Sequence, residues 1–191
     1  MSFRYKTGPC QTGKFPGIPL TESLPMPAKL PATSALAEEQ KNYPYRDKNC
    51  RALLRHDISS DELITLFHSA APGWFDVLMR ARDRIVGIFG LKTAAPRLAM
   101  PQAPFQVGQQ LGIFRILHLA PGEAILGEDD RHLDFRVSLR VDGGQLQVST
   151  LVCPHNIFGW LYLAAVLPFH HLISAIMIGK MARIINAGVT T

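Results

Sequence analysis

His132-Leu133-Asp134-Phe135-Arg136-Val137-Ser138-Leu139-Arg140-Val141-Asp142-Gly143-Gly144-Gln145-Leu146-Gln147-Val148-Ser149 is the stretch that decides the fold. Apolar Leu133, Phe135, Val137, Leu139 and Val141 alternate with His132, Asp134, Arg136, Ser138 and Arg140. A period of two puts one set on each face of a strand, so the strand belongs to a half-buried antiparallel sheet. Asp142-Gly143-Gly144 then supplies the positive φ angles of a tight hairpin, and Gln145 to Cys153 reads as the returning strand.

Downstream, Ile157 to about Asn186 is the most apolar segment and reads as one long helix. A sheet with one apolar face needs a cover, and this helix is the expected one, buried around most of its circumference. The segment is also long enough to cross a bilayer, with Trp160 and Tyr162 at one end and Lys180 and Arg183 at the other. Pro168, His170 and His171 near its centre favour the buried helix over a membrane span.

Upstream, Glu123–Glu128 and Gly112–Leu119 read as two further strands, and Tyr45–His56 as a first strand with a weak pattern. Two helices follow that first strand. Ser59 and Glu62 have capping-box spacing ahead of Leu63, Ile64, Leu66 and Phe67. Pro72 suits the first turn of the second helix, whose expected buried face is Trp74, Leu78, Ala81, Ile85 and Phe89. Gly90 is its expected cap, and residues 93–108 read as loop.

Residues 1–44 contain seven prolines and read as an extended arm, with a short helical turn near Ala35–Lys41. The organisation is therefore an arm at 1–44, an α+β domain at 45–187 and a tail at 188–191.

The chain has 191 residues, 47% of them hydrophobic and 18% charged, enough for a real core. Its net charge of +5 is concentrated in the first quarter. Basic residues such as Arg80, Arg82 and Arg84 have no interleaved aromatics, so nucleic acid is not an expected partner. Cys10, Cys50 and Cys153 show no metal-type spacing and read as reduced thiols. No apolar run follows Met1–Lys6, so a cytoplasmic location is expected, with membrane association through the C-terminal helix as the alternative. Dinucleotide, P-loop and nucleophile-elbow motifs are missing, and neither a cofactor nor a metal is expected.

The densest polar cluster is Gly127-Glu128-Asp129-Asp130-Arg131-His132 at a hairpin. A carboxylate beside a histidine can serve as general acid or base, which makes Asp130 and His132 the candidate catalytic pair. The competing reading is a turn whose side chains bond the local backbone. Asn156 is a candidate cap for the long helix, beside His155. His170 and His171 point about 100° apart on a helix, so they are not expected to share a partner.

Three blocks carry a family resemblance. The first is Pro72-Gly73-Trp74 with Arg80-x-Arg82-Asp83-Arg84 and Phe89-Gly90-Leu91-Lys92. The second runs from Gly127 to Ser138, and the third joins His155-Asn156-x-x-Gly159-x-x-Tyr162 to Pro168-Phe169-His170. Together they resemble an uncharacterised bacterial family known as a domain of unknown function. That family is similar to the helix-grip superfamily of START-like lipid-transfer and polyketide-cyclase-like proteins. The resemblance implies an antiparallel sheet wrapped on a long C-terminal helix, two shorter helices after the first strand, and an apolar cavity between sheet and helix. Here about five strands and a proline-rich arm depart from that pattern.

The expected function is binding of a hydrophobic or amphipathic small molecule, or a lipid, in that cavity. Phe135, Val137, Leu146, Val148, Leu163 and Leu167 would form its apolar wall, and Asp129, Arg131, His155, Asn156 and His170 would supply polar contacts. The alternatives are a cyclase-, dehydratase- or isomerase-type enzyme using Asp130 and His132, and a peripheral membrane or protein-interaction module.

Overall fold

The structure, a computed structural model, describes residues 34–37, 39–87 and 102–188. The expectations for most of the arm, for a cap at Gly90 and for the last three residues lie outside them. A 3-10 turn at Glu39–Asn42 leads into strand β1 (Tyr45–Ala52), helices α1 (Ser60–Ala70) and α2 (Phe75–Gly87), and strands β2 (Gln110–Leu111), β3 (Phe114–Ala120), β4 (Glu123–Asp129), β5 (Leu133–Asp142) and β6 (Gln145–Pro154). Helix α3 (Ile157–Ala187) closes the chain. The strands form one six-stranded antiparallel sheet in the order β1-β6-β5-β4-β3-β2. The fold is α+β, and its long helix lies against the β1–β6 side of the sheet while α1 packs over β4 and β5.

The alternation read in β5 sets the two faces. Residues paired across the ladders share a face, giving inner rows Ala124–Leu139–Val148–Asn49, Leu126–Val137–Thr150–Asp47 and Glu128–Phe135–Val152–Tyr45. Leu63, Ile64 and Ala70 of α1, with Ile178, Met181 and Ile185 of α3, pack on these rows as the main core. Gly143 and Gly144 have φ of 54° and 74°, the double left-handed turn that the hairpin reading required. A register shift between Ile116 and His118 in β3 gives Ile116 to the main core and Leu117 to the opposite face.

Two element boundaries and one capping contact differ from the sequence reading. β1 stops at Ala52 because the Leu54 N–H is taken by Asn186 Oδ1 of α3 at 2.8 Å, which draws the chain off the sheet. At α1, Ser59 Oγ caps the Glu62 N–H as expected, but the Glu62 carboxylate pairs with Arg55 at 2.6 Å. α2 begins at Phe75 and not at Pro72, since Pro72-Gly73-Trp74 form a turn whose carbonyls at Pro72 and Trp74 accept the first helical bonds. Trp74 is consequently exposed, not part of a buried face.

The outer face is covered as well. Leu36 and Tyr43 pack on Ile125, Leu151 and Cys153. Glu123 is buried there and receives Ser34 Oγ at 2.7 Å, Ser138 Oγ at 3.0 Å, the Ala35 N–H at 3.2 Å and Arg140 at 3.5 Å. Cys50 is a free thiol but Cys153 is disulfide-bonded, which corrects the expectation of reduced thiols throughout.

α3 runs as expected from Asn156 to the end of the sheet. Its burial does not follow the expectation, because only 17% of its most apolar window is buried.

Candidate functional site

The residues singled out by sequence divide between two places. Asp129, Asp130, Arg131, His132, His155 and Asn156 come together where the β4–β5 hairpin meets the start of α3. Asn156 Oδ1 caps α3 by accepting the Gly159 N–H at 3.1 Å. The same oxygen accepts His132 Nδ1–H at 3.1 Å, and Asn156 Nδ2 donates to the Arg131 carbonyl at 3.4 Å. The His132 carbonyl accepts the His155 N–H at 2.8 Å, and its ring meets Phe158 edge to face. Asp130 Oδ1 accepts the Arg131 N–H, the local turn pattern. The hairpin polar groups therefore staple the helix start to the sheet.

Two further pairs extend this junction onto the outer face. Asp129 pairs with buried Arg136 at 2.6 Å. His155 Nε2–H donates to Asp134 Oδ2 at 2.9 Å. Burial, then the charge of Asp129, pushes the Asp134 carboxyl upward despite His155 and Arg136.

His170 lies elsewhere, on the inner side. Its Nε2–H donates to Asp47 Oδ2 at 3.1 Å, and His171 Nδ1 approaches the same oxygen at 3.9 Å. Only His170 hydrogen-bonds the carboxylate, in line with the roughly 100° between adjacent helical side chains, and His171 stays beyond hydrogen-bond reach. Asn49 Nδ2 adds a contact at 3.4 Å. Burial raises the Asp47 carboxyl, but the His170 hydrogen bond, the charges of both histidines and the Lys48 backbone outweigh it and hold the group below the usual range.

Tyr45 stands next in the inner row. Its ring meets His170 edge to face at 6.2 Å and packs with Leu133, Val152 and Leu163. Only 7% of Tyr45 is exposed, and its Oη has no hydrogen-bond partner among the described residues. Burial, then the charge of Asp47, pushes the phenol far above its usual range, so Oη keeps its proton and offers a donor. Of the expected apolar wall, Leu146, Val148, Val137 and Leu163 are buried, and Phe135 and Leu167 are half-buried. Phe135 also meets Phe114, which meets Phe67 of α1, in edge-to-face contacts.

Sequence reasoning missed Tyr45 and Asp47. The available signal was the strand Tyr45-Arg46-Asp47-Lys48-Asn49, polar on both faces, with one acid among basic neighbours. At the opposite end of the sheet, His56–Ser60, Leu119–Gly122 and Val141 line an open groove of about 720 Å³. Among the described residues, no group of three or more His, Cys, Asp or Glu is placed to hold a metal.

Sheet, covering helix and a Tyr–Asp–His group between them, with Tyr45 and Asp47 buried and His170 half-buried, define an α+β domain of helix-grip-like architecture. The chain belongs to the family described as protein of unknown function DUF2867, whose model matches residues 40–177. That span takes in all six strands and α3 as far as Met177. No curated protein and no solved structure matches the chain.

Proposed function

We propose that this domain is a START-like binding module for a hydrophobic or amphipathic small molecule held between the sheet and α3. The apolar part would lie along the wall of Phe135, Val137, Leu163 and Leu167, and the polar end would meet Tyr45, Asp47 and His170. The observation that carries this reading is Tyr45 Oη, a buried donor with no partner among the described residues, on an otherwise apolar wall. A few convergent polar groups in an apolar setting are the usual form of a small-molecule site. An unsatisfied buried hydroxyl costs free energy that a ligand oxygen would return.

The test is mass spectrometry of an organic extract from detergent-free protein, beside a mock purification and the Tyr45→Phe variant. A stoichiometric compound, depleted in Tyr45→Phe, supports the reading, and an extract identical to the mock sinks it. Stripped Tyr45→Phe should be more stable than wild type by about 1 kcal/mol, because the orphaned hydroxyl is gone. Stability should therefore rise while ligand retention falls, which a purely structural tyrosine would not produce.

Asp47 gives a pH-dependent prediction. Its folded-state pKa lies below the unfolded value, so its stabilisation is present above about pH 4 and is lost as pH falls through the folded value. Asp47→Asn is expected to destabilise by about 1 kcal/mol at pH 7. The gap from wild type should narrow below about pH 4 in urea titrations. A gap that widens in acid would contradict the assignment.

A second reading, an acid–base enzyme of cyclase, dehydratase or isomerase type, is favoured by the Asp47–His170 hydrogen bond. A carboxylate in that position orients and strengthens an imidazole base. This reading moves the acid–base role to His170 from Asp130, which bonds the hairpin backbone, and His132, which bonds the cap residue Asn156. Chemical conversion of the extracted compound on re-addition to the protein would select it.

A further inference from the structure

The outward face of α3 is apolar for about five turns. Phe158, Leu161, Phe169, Leu172 and Ile176 are 48, 61, 48, 53 and 37% exposed. Ala164, Ala165, Pro168 and Ala175 fill the same stripe and are exposed too. Soluble surfaces scatter such residues singly, and a continuous stripe marks an interaction surface. No Asp, Glu, Lys or Arg lies between Ile157 and Gly179, so the stripe carries no formal charge along its length. The first charges beyond it are exposed Lys180 and Arg183, and no acidic residue occurs from Ile157 to the last residue.

We propose that this face docks in the plane of an anionic lipid bilayer. The inference rests on the outward face of α3 and is independent of the inner-wall ligand. α3 is apolar on both faces, one buried on the sheet and the other outward, so the outward face would bind by apolar burial, with exposed Arg183 at its end attracted to anionic headgroups. In-plane docking is favoured over spanning because the opposite face is already committed. Leu163, Met177, Ile178, Met181 and Ile185 are buried in the domain, and His170 is tied to Asp47 on β1. Crossing the bilayer would break both.

The experiment is flotation of the full chain with vesicles of phosphatidylcholine alone and of phosphatidylcholine mixed with phosphatidylglycerol. Wild type is expected to float with the mixed vesicles and far less with the neutral ones. Phe169→Glu with Leu172→Glu should weaken binding on the order of 100-fold. Arg183→Glu should weaken it about fivefold or more. These positions are exposed, so the variants should fold, and circular dichroism checks that they do. Leu161→Glu provides a second apolar variant one face-turn away. Wild type remaining unbound to both vesicle types would overturn the proposal. So would undiminished flotation of the double variant, or retention of wild type on vesicles after high-salt and alkaline washing, which would indicate a span. A wild-type dimer in sedimentation equilibrium that the double variant abolishes, without vesicle binding, would assign the face to a second copy instead.

Discussion

Glu123→Ala is expected to destabilise the domain by about 3 kcal/mol, the scale of breaking a buried ion pair from one side. Glu123 is 5% exposed on the outer sheet face. Its two oxygens collect donors from two parts of the chain: Ser34 and the Ala35 N–H before β1, and Ser138 and Arg140 on β5. Arg140 would keep only part of its compensation, through Asp142 at 3.4 Å. The loss should lower the melting temperature by roughly 6–12 °C for a domain of this size. It should also release the segment at Ser34–Leu36, because two of the four contacts are its attachments. Limited proteolysis would then cut near Ser34 faster in the variant than in wild type. A variant that melts with wild type, or that loses stability with no change in cleavage near Ser34, would show that Glu123 does not anchor this segment. Glu123→Gln is the informative companion, since it keeps acceptor capacity for one or two donors while removing the charge opposite Arg140.

How much of this was visible beforehand depends on what each residue's neighbours are. The β5–β6 hairpin was readable because alternation and a Gly-Gly turn are local, and the register follows from them. The extent of α3 was readable because apolar content and an Asn cap are local too. Its exposure was not. Ile178 and Ile176 are equally apolar, yet one is fully buried and the other is 37% exposed. Which side of an all-apolar helix meets the sheet is a tertiary fact with no signature in composition. The polar site shows the same division. Asp130 and His132 attracted attention by adjacency, but adjacency at a hairpin tip mostly serves the turn and the helix cap it touches. Asp47 and His170 are 123 positions apart and meet only because β1 returns beside β6 under α3. Tyr45 opens a strand that is polar on both faces, and such a strand offers no pattern to say which face is inner. Trp74 is exposed for a different reason. Proline is compatible with a helix's first turn but does not require one, and here it opens a separate turn.

Gly159→Ala is expected to destabilise by about 2–3 kcal/mol, although alanine is the better helix former by about 1 kcal/mol. Gly159 is the third residue of α3, at the place where the helix start lies on the β4–β5 hairpin. A methyl group there would run into the His132 carbonyl oxygen and crowd the Pro154 ring. The obstacle is backbone, so no rotamer change relieves it. That carbonyl is also bonded to the His155 N–H, and the His132 ring to Asn156, so the hairpin cannot retreat without loosening the cap of α3. The control lies on the same helix. At Gly179 nothing stands within 4 Å of an added methyl, so Gly179→Ala should stabilise by about 0.5–1 kcal/mol through helix propensity alone. Opposite signs for one substitution on one helix, read as melting temperatures about 5–16 °C apart, would establish that Gly159 is kept for close approach and not for flexibility. Equal and positive shifts would mean that the hairpin does not press on the helix start, and the staple through His132 and Asn156 would then have to be looser than its hydrogen bonds indicate.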